Sequence, residues 1–198
     1  MLRDFTSDFV TPHERGWRML TEAFVGQPHL RFLEIGSLEG RSACWWLDHV
    51  LTHPTSTLTC IDCWGIDDIE RRFDHNITTT GRAAQIRKYK ARSRSALKEV
   101  EDGSIDLAYI DGSHEGRDVL LDGLLVLPLM RPQGVILFDD YGLAPECMPP
   151  GYQRLPREAI DTFLAFTRDR VQQVSGGYQV AVRVRDRKAD PAVSRHRP

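Results

Sequence analysis

The stretch from Ile105 to Tyr141, IDLAYIDGSHEGRDVLLDGLLVLPLMRPQGVILFDDY, constrains this chain more than any other. Two short apolar runs, Leu107 to Asp111 and Val135 to Asp140, each end in acid and flank an amphipathic segment. That alternation spells strand, crossover helix and parallel strand. A right-handed crossover lays such strands side by side or nearly so, ~4.8 Å apart when adjacent. Their acidic ends then share one edge of a sheet. Asp111, Asp139 and Asp140 would crowd there, and like charges at close range raise one another's pKa unless a cation intervenes. The three acids are therefore candidate metal ligands.

The flanking sequence extends the same pattern. Thr11-Pro12-His13-Glu14 has the form of a capping box with proline at the first helical position, so a helix is expected there, carrying Trp17, Leu20 and Phe24 on one face. Leu30 to Ile35 reads as a strand, Gly36 to Gly40 as a turn, and Arg41 to His53 as a helix closed by Pro54. Thr57 to Asp62 is a second strand with an acid at its tip, followed by a Cys63-Trp64-Gly65 loop. Ile66 to Thr80 is partly helical, Ile86 to Ala91 a charged edge strand, and Ser93 to Glu101 a short helix. Beyond Tyr141 come a Pro- and Gly-rich loop, Gly142 to Tyr152, long enough to be a lid, and a helix from Pro156 to Arg168. Two strands, Val171 to Val174 and Tyr178 to Val184, are joined by Gly176-Gly177 in a hairpin. Residues 186–198 lack apolar periodicity and are expected to be disordered, which leaves one domain over residues 1–185. Strands and helices alternating in this order argue a doubly wound α/β sheet with ligands at the carboxyl ends of its strands.

Charge and cysteine usage narrow the class. A net charge of -2 over 198 residues offers no electrostatic case for a nucleic-acid or membrane partner, and no apolar run approaches a signal peptide or membrane span. A small-molecule partner and a cytoplasmic location follow by default. Cys60 and Cys63 form a C-x-x-C pair with no second pair to complete a zinc site, and they sit at a strand end rather than opening a helix. Packing and loop roles suit them better than metal or redox chemistry.

The glycine turn speaks to the ligand. Gly36 and Gly40 give G-x-x-x-G, not the G-x-G-x-x-G that lets a backbone approach a pyrophosphate. A cofactor without phosphate fits better. Asp62 at the next strand tip is placed to accept hydrogen bonds from both hydroxyls of a ribose. Glu34, just before the turn, adds a negative charge that would repel a pyrophosphate and attract an ammonium or sulfonium. S-adenosylmethionine carries both cations.

FLEIGSLEG, LTCIDCWG, the ARSRSAL segment, LAYIDGSH and GVILFDDY together resemble the ordered motifs of a class I S-adenosylmethionine-dependent methyltransferase, over about Leu30 to Tyr141. Within that class the YIDGSH and DDY pair is similar to the small O-methyltransferases of the catechol and macrocin type, which bind magnesium. The resemblance implies a seven-stranded Rossmann-like sheet of order 3-2-1-4-5-7-6 with the last strand antiparallel. It also implies that Glu34, Gly36 and Ser37 line the methionine end of the cofactor, that Asp62 holds the ribose and that Arg92 and Ser93 lie beside the adenine; Gly40, Trp64 and Asp111 complete the expected cofactor-binding set, and Asp111 is expected to be catalytic as well. Asp140 stands where the catechol type has asparagine, as in the macrocin type, and no equivalent of the catalytic lysine of some relatives is evident.

Methyl transfer to an alcohol is an in-line displacement, in which positioning alone can be worth ~7 to 11 kcal/mol. A divalent ion on Asp111, Asp139 and Asp140 would bind the acceptor hydroxyl and lower its pKa, and an all-oxygen set favours magnesium, manganese or calcium. His114, three residues after Asp111, is a candidate general base. Each residue also has a plainer role: Asp111 could cap the following helix, Asp139 and Asp140 could be solvated turn residues, and His114 could only bond the backbone. Two other functions share the sheet, a nicotinamide-dependent oxidoreductase and a cofactor-binding module without catalysis. A nucleic-acid amino-methyltransferase is disfavoured, because Ile110-Asp111-Gly112-Ser113 replaces the N-P-P-type motif such enzymes carry. The acceptor is expected to be a small hydroxylated molecule, and a homo-oligomer is compatible with everything in the sequence.

Overall fold

The computed structural model describes residues 2–148 and 150–186. Seven strands form one sheet in the order β3-β2-β1-β4-β5-β7-β6. They are β1 (Arg31–Ile35), β2 (Thr57–Asp62), β3 (Ile86–Lys90), β4 (Ile105–Ile110), β5 (Met130–Phe138), β6 (Val171–Ser175) and β7 (Val180–Val184). The first five run parallel, and β7 is antiparallel to both β5 and β6. The sheet is thus a Rossmann-like methyltransferase sheet in the expected order, with Phe32 of β1 level with Leu107 of β4 and Leu107 level with Val135 of β5.

Alternation along the strands divides the core in two. Leu33, Ile35, Ala108, Ile110, Ile136 and Phe138 face α4 (Ser93–Ala96), α5 (Gly116–Val126) and α6 (Pro156–Phe166). Phe32, Leu107, Tyr109, Val135 and Leu137 face α1 (Glu14–Thr21), α2 (Arg41–His49) and α3 (Asp67–Thr79). On the second face Trp17 of α1 stacks on Trp46 at 4.3 Å between ring centroids and meets Trp45 and Tyr109 edge-on.

The first helix starts differently from its sequence signature. A 3-10 turn over Thr11–His13 precedes it, and its N-cap, Val10, makes no side-chain cap bond. Asp8 supplies the cap instead: its carboxylate accepts from the Val10 and Thr11 amides and from the Thr11 hydroxyl. These bonds pull the Asp8 carboxyl down to about 2. The helix expected to run to His53 ends at His49, with Pro54 four residues beyond its C-cap. Apart from Asp186, the expected tail lies outside the described residues. Among the described residues no helix is long and apolar enough to cross a membrane.

Candidate active site

The carboxyl ends of β1, β2, β3 and β4 open onto a cleft of about 230 Å³ floored by Ile35 and Ile61. Gly36 turns the chain off β1 with φ +85, and its amide bonds the Ile61 carbonyl. A Cβ on Gly36 would lie 1.9 Å from the Asp111 carbonyl oxygen, so only glycine lets the turn and the tip of β4 approach this closely. The Asp111 amide in turn donates to the Ile35 carbonyl at 2.8 Å.

Asp62 lines the cleft and holds the turn. Its Oδ2 accepts from the amides of Ser37 (3.0 Å) and Leu38 (2.9 Å), and its Oδ1 from the amide of Trp64 (2.8 Å). Leu38 and Trp64 both sit at positive φ, +43 and +39, and these bonds compensate for that backbone strain. Gly36, Asp62, Arg92 and Ser93 of the expected cofactor set face the cleft. Four others stand behind it. Glu34 and Ser37 are buried under the turn, Trp64 packs on Phe73 with its indole N–H bonded to the Leu38 carbonyl, and Gly40 is needed because a Cβ there would meet the Phe73 ring at 2.9 Å.

Glu34 is fully buried, and burial pushes its carboxyl up to about 7. Ser42 donates to its Oε1 at 3.0 Å, while among the described residues Oε2 has no partner, and the neighbouring Ser37 Oγ and Trp46 Nε1 close no bond to it. Its charge is thus a buried feature of the turn's foundation and not a surface of the cleft.

Beside the cleft lies the acid cluster. The Tyr109 hydroxyl sits between Asp111 Oδ2, 3.1 Å away, and an oxygen of Asp139. One hydroxyl has one hydrogen, so two ionised carboxylates cannot both be satisfied by it. Burial, then repulsion from Asp139 and Asp140, holds the Asp111 carboxyl well above the usual carboxylate range, and Asp139 is raised in the same sense. Such a pair carries either a shared proton or a compensating cation. Asp140, at φ +59, is held by its neighbours: its amide donates to Asp139 Oδ1, its Oδ1 accepts from the Tyr178 hydroxyl at 3.0 Å, and its Oδ2 pairs with His114 Nδ1 at 2.5 Å. The bond to Asp140 raises the His114 pKa. Among the described residues no group of three or more His, Cys, Asp or Glu side chains is gathered as a ready metal cage. The donor chemistry nevertheless fits a hard divalent cation, since the set is all oxygen and carries negative charge in excess of its internal hydrogens.

Sequence reading missed Tyr109, Tyr178 and Asp122. Tyr109 alternates to the helix face opposite Ile110, and its hydroxyl reaches Asp139 as well as Asp111 because β4 and β5 are adjacent. Asp122 had a signal: a carboxylate in the stripe Val119, Gly123, Val126 of α5 is either mispaired or used, and it lines the cleft at 4% exposure.

A family profile described as a methyltransferase domain matches residues 33–141, from β1 to the residue after the paired acids. No curated protein matches the chain. Among solved structures, the O-methyltransferase TomG of Streptomyces achromogenes, involved in tomaymycin synthesis and solved with S-adenosylmethionine, aligns with a TM-score of 0.69 at 17% identity, over 90% of this chain and 82% of that one. An O-methyltransferase from Bacillus cereus solved with S-adenosylhomocysteine gives 0.70 at 16% identity, over 91% and 84%. MycE of the mycinamycin pathway, solved with Mg, S-adenosylhomocysteine and mycinamycin VI, gives 0.65 at 16%, over 92% of this chain and 52% of that one. At these identities the structures establish the fold. The matched segment covers more than half of the 198 residues, including the glycine turn, Asp62 and both acidic strand tips, and the chain belongs to the methyltransferase-domain family.

Proposed function

We propose that the protein transfers the methyl group of S-adenosylmethionine to a hydroxyl of a small acceptor, with a divalent cation at the acid cluster. The observation that carries this reading is the juxtaposition of a cleft framed by Gly36, Asp62 and Ser93 with the cluster of Asp111, Asp139 and Asp140 at the same sheet edge. Solved O-methyltransferases of the same fold that contain S-adenosylmethionine or its product support the choice of donor.

The donor's adenosine lies in the cleft with its ribose at Asp62 and its sulfonium toward Gly36 and Asp111. The acceptor approaches from the side of Tyr178 and His114, so that its oxygen meets the methyl carbon in line with the carbon–sulfur bond. His114 turns Nδ1 to Asp140, which leaves Nε2 to take the hydroxyl proton, and Asp140 stabilises the imidazolium that forms. The new carbon–oxygen bond forms as the carbon–sulfur bond breaks, and S-adenosylhomocysteine leaves neutral at sulfur. Asp111, Asp139 and Asp140 would hold the cation, which supplies Lewis-acid polarisation of the acceptor hydroxyl. Tyr178, stacked on His13 at 5.4 Å, gives that side of the site an aromatic wall.

Calorimetry of the folded protein with S-adenosylmethionine tests the donor, and absence of binding sinks the reading. Turnover of a panel of phenols and sugar hydroxyls, with magnesium and then with a chelator, tests the cation. Asp139→Ala is expected to abolish metal-dependent turnover while leaving cofactor affinity within about 3-fold. Turnover that ignores both chelator and substitution removes the cation from the mechanism.

A further inference from the structure

We propose that Gln179, in the β6–β7 hairpin, is a positioning residue for the cation site and holds Asp139 through its side-chain amide, an inference that rests on the cation proposed above. β5 and β7 pair Phe138 with Val180, and the next residues along, Asp139 and Gln179, stand across from each other. Both side chains lie on the face of Tyr109 and Trp17, to which they bond. One residue further on, the Tyr178 hydroxyl reaches Asp140 Oδ1 at 3.0 Å, so the hairpin meets both acids of the pair.

The Gln179 amide has a fixed polarity. An indole N–H only donates, so the 2.8 Å bond from Trp17 Nε1 holds Oε1 toward α1 and turns Nε2 the other way. Trp17 has little room to yield, being 1% exposed, stacked on Trp46 at 4.3 Å and edge-on to Tyr109 at 5.3 Å. Nε2 is shielded from solvent and closes no hydrogen bond among the described residues. A buried donor left open in this way calls for an acceptor. The carboxylate across from it is that of Asp139, where burial raises the pKa and the Gln179 amide works against the rise. Asp139 is otherwise held by the Tyr109 hydroxyl and the Asp140 amide. A carboxylate that must present an oxygen to a cation needs its plane fixed, and partners behind the ligands set how tightly the metal is bound. Gln179 adds a neutral donor, which orients the charge of Asp139 without cancelling it. The run from α1 through Trp17 and Gln179 to Asp139 makes docking of the N-terminal helix part of assembling the site.

Manganese titration of the folded protein, followed by electron paramagnetic resonance, tests this on wild type, Gln179→Leu, Trp17→Phe and the double variant, with S-adenosylhomocysteine affinity measured alongside by calorimetry. Gln179→Leu is expected to weaken manganese by roughly 10-fold and to leave S-adenosylhomocysteine within about 2-fold of wild type. Trp17→Phe keeps a ring in the stack but removes the N–H, which frees the amide to turn its oxygen toward Asp139. Manganese should weaken by about 5-fold in that variant, and the substitution should add nothing in the Gln179→Leu background. A change under about 3-fold in Gln179→Leu, or parallel loss of both ligands, overturns the assignment, because a general loosening moves both. Full additivity of the two substitutions overturns the part given to Trp17. If Gln179→Leu fails to fold, Trp17→Phe decides: manganese affinity within about 2-fold of wild type overturns the proposal. Wild type that binds S-adenosylhomocysteine but no manganese overturns the cation reading and this inference with it.

Discussion

Glu34 and Asp122 are both buried carboxylates on apolar faces, but Asp122 lines the cleft and Glu34 lies beneath it. Burial raises Glu34 to about 7 from an ordinary 4.5. The folded state therefore binds the proton more tightly than the unfolded state, and the stability linked to this group is complete below about pH 4.5 and lost as pH rises through about 7. A shift of this size corresponds to about 3 kcal/mol. Urea unfolding of wild type is expected to show lower stability at pH 8 than at pH 5, and Glu34→Gln should narrow that difference, provided the Ser42 bond to the side-chain carbonyl survives. An unchanged pH dependence in the variant would assign the effect to other groups. The sequence placed Glu34 next to the turn correctly, but whether its side chain faced ligand or core depended on the alternation of β1, which puts it on the α2 face with Phe32. Trp64 and Gly40 both meet Phe73, a residue of α3 whose position no local pattern reveals.

On the proposed reading, the element on which cofactor binding depends most is the turn after β1. Its conformation is fixed from two sides, by the 1.9 Å margin between a Gly36 Cβ and the Asp111 carbonyl, and by the Asp62 bonds to the Ser37 and Leu38 amides. Backbone at the tip of β4 has little freedom to retreat, because the Asp111 amide is tied to Ile35. Gly36→Ala is expected to lose S-adenosylhomocysteine binding by calorimetry and to cost more than Gly40→Ala in thermal melting, since at Gly40 the clash is with a ring that can tilt. Equal effects at the two positions would mean that the turn yields as a whole. The turn was legible from glycine spacing. Its second support was not, because an acid at the tip of β2 reads from sequence only as a ligand for the ribose, whereas in the structure its carboxylate holds the amides of the turn and of Trp64.

Across the whole molecule, the N-terminal segment closes the second face of the sheet and joins its two ends. Trp17 is 1% exposed, stacks on Trp46, and donates its indole N–H to Gln179 at 2.8 Å, next to the hairpin that carries Tyr178 to Asp140. Upstream, Thr6 bonds the Glu39 carboxylate through both its amide and its hydroxyl, and Asn76 bridges the carbonyls of Asp4 and Glu39. Trp17→Ala is expected to destabilise by about 3 to 5 kcal/mol in denaturant unfolding, the usual cost of deleting a buried tryptophan. A cost under about 1 kcal/mol would show that the segment only rests on a sheet already stable without it. The meeting of the two acidic tips could be read from sequence, because crossover handedness and strand spacing leave few topologies open, whereas the order of the strands came from the resemblance to the methyltransferase motifs. The placing of the Tyr109 hydroxyl between Asp111 and Asp139, the pairing of His114 with Asp140 and the turning of Asp122 into the cleft were decided only by tertiary structure. Each depends on atoms brought within 3 Å or so from separate elements, and a hydrogen bond's reach is finer than any pattern of residue types along one chain.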